Sequence, residues 1–297
     1  MMRKYPREKE EVIKGKVEEA FQYSPRRKQV RIYISPGTKE KCGFLKLGSK
    51  QEYELVILNT SQVNYKDVTQ GCLFGGVKIS YDTSSVLKYI TIYPIPAKHD
   101  DLLTDTDCFG YVINFMPEKI IVWYTGDTGF SEEMGENFVA IRALLAPLLN
   151  ISTVSLDNYK GMILLAHIGG FKPDEQYYYR TSVTKAFYKN HLGRLGICKM
   201  IECLKPSVCL ISEFGEEFTN CRKALTDIFR AQYHPSPVIL PADVNCTLRL
   251  TLDSNSLPHI EMEVAPNDFV PIQDIKYTEE QDNNSKEWEI KYRRDAG

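Results

Sequence analysis

The spacing of apolar residues changes at Asp127, and this change constrains the fold more than any other feature of the 297-residue sequence. From about residue 30 up to this point, short apolar runs are separated by turn signals such as SPGT, GSK and MPEK, a pattern typical of β-strands. The runs GYVINF and IIVWYT, on either side of MPEK, predict a β-hairpin. Beyond Asp127, apolar runs alternate with segments of helical spacing, beginning with SEEMGENFVAIRALLAPLLN. We therefore predict an α+β or α/β protein, β-rich in its first half and alternating β/α in its second, with sheets packed together and helices outside.

The two ends of the chain differ in composition from this central part. Residues 1–28 are highly charged and include KEEVIKGKVEEAF, whose apolar residues have helical spacing. Residues 273–297 are polar, and we expect this segment to fray. The sequence thus predicts three parts: a charged N-terminal extension over 1–28, a main domain over 29–272, and a polar C-terminal tail over 273–297.

Composition limits the classes of partner. The net charge of −2 provides no overall basic field that would draw the protein to nucleic acid or an anionic membrane. No apolar stretch approaches the length of a membrane-spanning helix, and the first residues, MMRKYPREKEEV, have no apolar signal region. The eight cysteines form no CxxC pair, so neither a zinc ribbon nor a thioredoxin-type site is indicated. We expect a cytoplasmic protein without a membrane association.

Several polar side chains directly follow buried apolar runs. Asp127 follows IIVWYTG, His167 follows GMILLA and Glu213 follows VCLIS, while His99 follows YITIYPIPAK. Strand ends at one edge of a sheet are where side chains from distant positions converge on a ligand. Two histidines and two carboxylates are residue types that bind zinc, manganese or iron. The pattern therefore favours a metal site at one edge of the sheet.

Each of these residues also has a structural interpretation that the sequence leaves open. His99 heads the polar cluster HDD, which could cap a loop, and Asp127 between two glycines is typical of a turn. His167, on an apolar strand, could be a core histidine, and Glu213 could be the first-turn acid of the next helix.

The order of the segments PIPAKHDD, GYVI, IIVWYTGDTGF, ILLAHIGGF, NHLG and KPSVCLISEFGEE resembles the second half of a metallo-β-lactamase-fold hydrolase, in particular the ribonuclease Z-like branch. The resemblance covers about residues 76–250, and the GDTG turn with its flanking strands is its most specific part. It implies a partial αββα sandwich and a metal-dependent hydrolase of the phosphodiesterase or nuclease type.

The resemblance also implies roles for particular residues. His99, Asp127 and Glu213 correspond to metal ligands, with Asp127 bridging two ions of zinc, manganese or iron. Catalytic roles fall to Asp127, His167 and His191, and His191 would assist the leaving group. Glu213 stands where the family has a histidine.

The main metal motif of that superfamily, His-x-His-x-Asp-His, is absent from the sequence. Three interpretations follow. A partner chain could supply the missing half of a split enzyme, the chain could be a catalytically degenerate binding or regulatory subunit without metal, or it could be a single-metal hydrolase. Under the first two interpretations the sheet is incomplete, and we expect a protein partner or self-association to cover it.

One locally basic and aromatic stretch, QYYYRTSVTKAFYKNHLGR, bears on the substrate. Stacking on the aromatic rings and contacts from the basic residues to phosphates would suit a nucleic acid or a nucleotide. The alternative is a helix whose tyrosines pack on the sheet while its lysines face water.

Overall fold

The computed structural model describes residues 30–34, 53–57, 77–83, 86–97, 109–115, 117–148, 157, 159–169, 191–214, 218–243, 246–283 and 285–295. Contacts divide the chain into two units, residues 1–59 and 60–297. In the first unit, β1 (Val30–Ile34) and β2 (Tyr53–Ile57) form a parallel pair. The predicted domain boundaries after residues 28 and 272 stay predictions.

A seven-stranded sheet forms the centre of the second unit, and its strands lie in chain order. The strands are β3 (Val77–Thr83), β4 (Val86–Pro96), β5 (Phe109–Phe115), β6 (Ile120–Tyr124), β7 (Met162–His167), β8 (Val208–Ser212) and β9 (Val238–Pro241). Pairing is antiparallel from β3 to β6, which includes the predicted β5–β6 hairpin, and parallel from β6 to β9. The carboxyl ends of the last four strands therefore share one edge.

Three helices of the described residues lie in the connections between the parallel strands. They are α1 (Glu132–Leu148), α2 (Gly193–Leu204) and α3 (Arg222–Tyr233). Helix α1 begins where the sequence predicts, because the hydroxyl of Ser131 accepts a hydrogen bond from the Met134 amide at 3.2 Å. Among the described residues, none of the helices has the length and apolarity that crossing a bilayer requires.

The helices cover one face of the sheet and the C-terminal strands cover the other. Trp123, Phe138, Leu164 and Phe229 belong to the core on the helix side. The strands on the other face are β10 (Leu248–Leu252), β11 (Pro258–Ala265), β12 (Asp268–Pro271), β13 (Ile275–Gln281) and β14 (Trp288–Arg294). The described residues thus form a helix layer, a sheet and a second β-layer, which are three of the four layers of the predicted αββα sandwich. The predicted fold class is confirmed.

The polar tail differs from its prediction. Strands β13 and β14 pair with each other, and Ile275, Tyr277 and Ile290 are buried in the core between the two β-layers. The expectation that this segment frays is wrong, because apolar residues alternate with its charged ones. Alternation at a period of two gives the hairpin one apolar face, which packs on the sheet.

Candidate metal centre

Strand alternation decides on which face of the sheet the candidate residues lie. Ile163 and Leu165 of β7 face the C-terminal strands, and Leu164 faces the helices. Successive side chains point to opposite faces, so His167 lies on the side of the C-terminal strands. Tyr124 of β6 lies on the same side, and its ring packs edge to face on the imidazole of His167 at a centroid distance of 4.8 Å. The imidazole therefore stands at the sheet edge that opens between the two β-layers.

Three side chains of types that can ligate a metal meet at this edge. Ligand atoms of Asp127, His167 and Glu213 all lie within 4.8 Å of one another. The Nδ1 atom of His167 contacts Oε2 of Glu213 and lies 3.7 Å from Oδ1 of Asp127. The side chain of His167 is 12% exposed, whereas those of Asp127 and Glu213 are 46% and 51% exposed. The cluster is thus anchored by a largely buried imidazole and opens to solvent through its carboxylates.

His191 stands beside this cluster. Its Nδ1 atom is 3.6 Å from Oδ1 of Asp127. The backbone of Gly169 has φ +64° and runs so close to His191 that a Cβ atom at position 169 would lie 2.1 Å from the imidazole. The Gly193 amide donates to the Ile168 carbonyl at 3.2 Å, which ties the start of α2 to the end of β7. Glycine at position 169 therefore allows His191 to approach Asp127.

Turn conformations hold the two carboxylates at the strand ends. Gly126 has φ +62° and lets the chain turn sharply after β6, directly before Asp127. Glu213 has φ +49°, a left-handed conformation that costs a residue with a Cβ atom about 1–2 kcal/mol. The amide of Gly169 donates to the Glu213 carbonyl at 3.0 Å, and the amide of His167 donates to Oγ1 of Thr125 at 3.1 Å.

The side chains of the cluster shift the pKa values of one another. Hydrogen bonding to His167 is the main reason that the pKa of Asp127 falls to about 2. Burial lowers the pKa of His167, but hydrogen bonds to Asp127 and Glu213, together with their charges, outweigh burial and raise it to about 9. At neutral pH and without a metal, the cluster is therefore an imidazolium between two carboxylates.

The donor set fits a divalent cation. Nδ1 of His167 is shielded from solvent, and two carboxylates face it. The 3.7 Å between Nδ1 and the Asp127 oxygen is near the spacing of about 3.4 Å that two ligands at ~2.1 Å have around a tetrahedral ion. One imidazole nitrogen and two carboxylate oxygens are donors that zinc, manganese and iron accept.

The structure brings together four of the five predicted site residues: Asp127, His167, His191 and Glu213. The fifth, His99, lies outside the described residues, as does 176–190, most of the basic aromatic stretch. The metal and catalytic roles stay predictions, but His167 lies among the candidate ligands rather than only beside them.

Neither Tyr124 nor Gly169 stands out in the sequence as a site residue. Alternation along IIVWYT, which puts Tyr124 on the face of the site, could have indicated the tyrosine. No local signal shows that Gly169 contacts His191, because the contact joins two segments.

Comparisons with known proteins give a partial likeness in fold. No family model and no curated protein matches the chain. Among solved structures, a diphosphatase from the PhnP family matches at 14% identity and a TM-score of 0.33. The match covers 69% of this chain and 58% of the diphosphatase chain. Human tRNase Z, short form, matches at 8% identity and a TM-score of 0.36. The match covers 66% of this chain and 65% of the tRNase Z chain. The chain thus spans less than two thirds of either neighbour, both of which have the metallo-β-lactamase fold.

Proposed function

We propose that the chain is a metal-dependent hydrolase subunit that holds a divalent cation, zinc in the first instance, through Asp127, His167 and Glu213. The observation that carries this proposal is the approach of the three ligand atoms to within 4.8 Å of one another around a buried imidazole nitrogen.

A cation bound there would lower the pKa of a coordinated water toward about 7 and would draw negative charge from the reacting ester. Asp127 and Glu213 neutralise the cation, and the packing of Tyr124 on His167 holds the imidazole in place. Asp127 also faces His191 at 3.6 Å and orients its ring. His191 is the group that gives a proton to the leaving oxygen.

The substrate class in this proposal is a phosphodiester. Its basis is the resemblance of the GDTG turn and the NHLG segment to the ribonuclease Z-like branch. Because the His-x-His-x-Asp-His motif is absent, we further propose that a partner chain supplies the remaining ligands and the strands that complete the sandwich.

Two measurements test the proposal. Calorimetric titration of metal-free protein with Zn²⁺ and Mn²⁺ should show binding that Asp127→Asn and Glu213→Gln weaken. Glu202→Gln should leave it unchanged, because Glu202 pairs with Lys199 on the surface of α2. Hydrolysis of bis-p-nitrophenyl phosphate with added Mn²⁺ should appear or increase when the partner is present. Native protein that binds neither cation would refute the metal site, and absence of turnover with partner and cation present would refute the hydrolase.

One observation favours a second function, that of a catalytically degenerate binding subunit. Nδ1 of His167 contacts Oε2 of Glu213, and the two carboxylates raise the pKa of His167 to about 9, which supports an ion-paired cluster without a metal. Under this alternative, Asp127→Ala leaves complex formation with the partner intact, and the purified protein contains no zinc, iron or manganese.

A further inference from the structure

A cavity of about 890 Å³ extends from the candidate metal centre between the two β-layers. Glu213 lines it, so the cavity and the cluster share a side chain. Leu165 and Leu210 line it from the central sheet, each two residues before the strand end that carries the site. Leu248 of β10 and Trp288 of β14 line it from the C-terminal layer. Its volume is within the range of about 300–1,000 Å³ that small-molecule sites occupy.

The lining of this cavity is chiefly apolar. Leu165, Leu210 and Leu248 are joined by two aromatic side chains, Phe214 and Trp288. Aromatic rings offer large, rigid contact areas and stack well on flat apolar groups. The cavity therefore suits an aryl or alkyl group.

The charges along the cavity disfavour an anion. Arg222 is the cationic side chain among the described lining residues, and it pairs with Asp243 at 2.9 Å and with Glu279 at 3.1 Å. Glu287 adds a further negative charge at an exposed position of the rim. An anionic group inside would thus face carboxylates, while the guanidinium is already engaged by two of them.

We propose that this cavity binds the uncharged aromatic or apolar substituent of the substrate, next to the bond cleaved at Asp127, His167 and Glu213. The placement of the scissile bond rests on the proposed function, whereas binding in the cavity does not require the cation. The substrate is then a small diester whose one anionic group meets the metal centre. A polynucleotide, which carries a phosphate on every residue, would bring further anions to the acidic rim.

The test compares two probes that share a naphthyl ring and differ in charge, on the metal-free full chain. Calorimetry at pH 7 and low salt should show that 2-naphthol binds and that naphthalene-2-sulfonate binds at least about threefold more weakly. Glu287→Lys should shift this ratio by about threefold or more toward the sulfonate, since it reverses a charge at the rim. Glu136→Lys, an equal change at an exposed position of α1 in the helix layer, should leave the ratio unchanged. Leu248→Asn should weaken the binding of 2-naphthol.

The outcomes separate this inference from the proposed function. Sulfonate binding as tight as naphthol binding, an unchanged ratio in Glu287→Lys, or no naphthol binding up to its solubility limit would overturn the cavity assignment. Protein that binds zinc but not naphthol overturns the cavity alone. Protein that selects naphthol over the sulfonate but binds no cation supports the cavity and refutes the metal site.

Discussion

Gly169→Ala is the substitution whose consequence the structure defines most sharply. The added Cβ atom would lie 2.1 Å from Cγ and Nδ1 of His191, and 2.6 Å from its Cβ atom. Ordinary contacts of a Cβ atom are 3.4–4 Å. Because the collision includes the Cβ atom of His191, rotation of the imidazole about χ1 cannot relieve it. The backbone at position 169 or 191 must therefore move.

The magnitude follows from two terms. A side chain at φ +64° costs about 1–2 kcal/mol, and overpacking costs about 1–3 kcal/mol. We expect a loss of about 3 kcal/mol in the free energy of unfolding, which lowers Tm by about 6–12 °C in a unit of this size. If His191 donates the proton to the leaving group, its displacement lowers kcat by about 100-fold. Cation affinity should stay within about threefold of the native value, because the three proposed metal ligands are intact.

Thermal unfolding measures the first effect, and turnover of bis-p-nitrophenyl phosphate with Mn²⁺ and partner measures the second. The control is the double variant Gly169→Ala with His191→Ala. Since Gly169→Ala acts through His191, it should lower kcat no further in that background. An unchanged Tm, or an equal loss of rate with and without His191, would refute the reasoning.

The remaining predictions concern the cluster and the docking of the C-terminal hairpin. Glu213→Gln should weaken Zn²⁺ binding at least tenfold (~1.4 kcal/mol or more), while the surface control Glu202→Gln should not. Equal affinities of Glu213→Gln and the native protein for Zn²⁺, measured by calorimetry, would contradict the role of Glu213 as a ligand. Because the pKa of His167 is raised to about 9, Zn²⁺ must displace a proton from it at pH 7, and the affinity for Zn²⁺ should rise about tenfold per pH unit toward pH 9. Calorimetry in buffers of different ionisation enthalpy measures this proton release. Binding of Zn²⁺ that does not depend on pH would argue against His167 as a ligand. The protonated imidazole of His167 also stabilises the metal-free fold. This contribution is complete below about pH 6.5 and is lost as the pH rises through about 9, so the free energy of unfolding in urea should fall across this range. Arg222→Ala removes the guanidinium that pairs with the carboxylate of Glu279, whose side chain is 5% exposed. This substitution should lower the free energy of unfolding by about 3–5 kcal/mol. A loss below about 1 kcal/mol in urea unfolding would contradict the prediction.

Local spacing was enough to predict the secondary structure around the site. The hairpin of β5 and β6 and the strand that ends at His167 follow from short apolar runs, and the helix that begins after Ser131 follows from a period of 3.6 in the apolar residues. Both signals reflect how side chains leave a strand or a helix, which is a property of neighbouring residues. The fraying predicted for 273–297 failed because the many charges there hid an alternation of period two.

What the sequence determined by itself is which elements form and which polar side chains stand at their ends. Only the tertiary structure decided that His167 joins Asp127 and Glu213, that His191 reaches this cluster over Gly169, and that a cavity opens beside it. The physical reason is that these contacts depend on strand order and on which sheet face the C-terminal hairpin covers. Both are set by packing between segments that lie more than 20 residues apart in the chain.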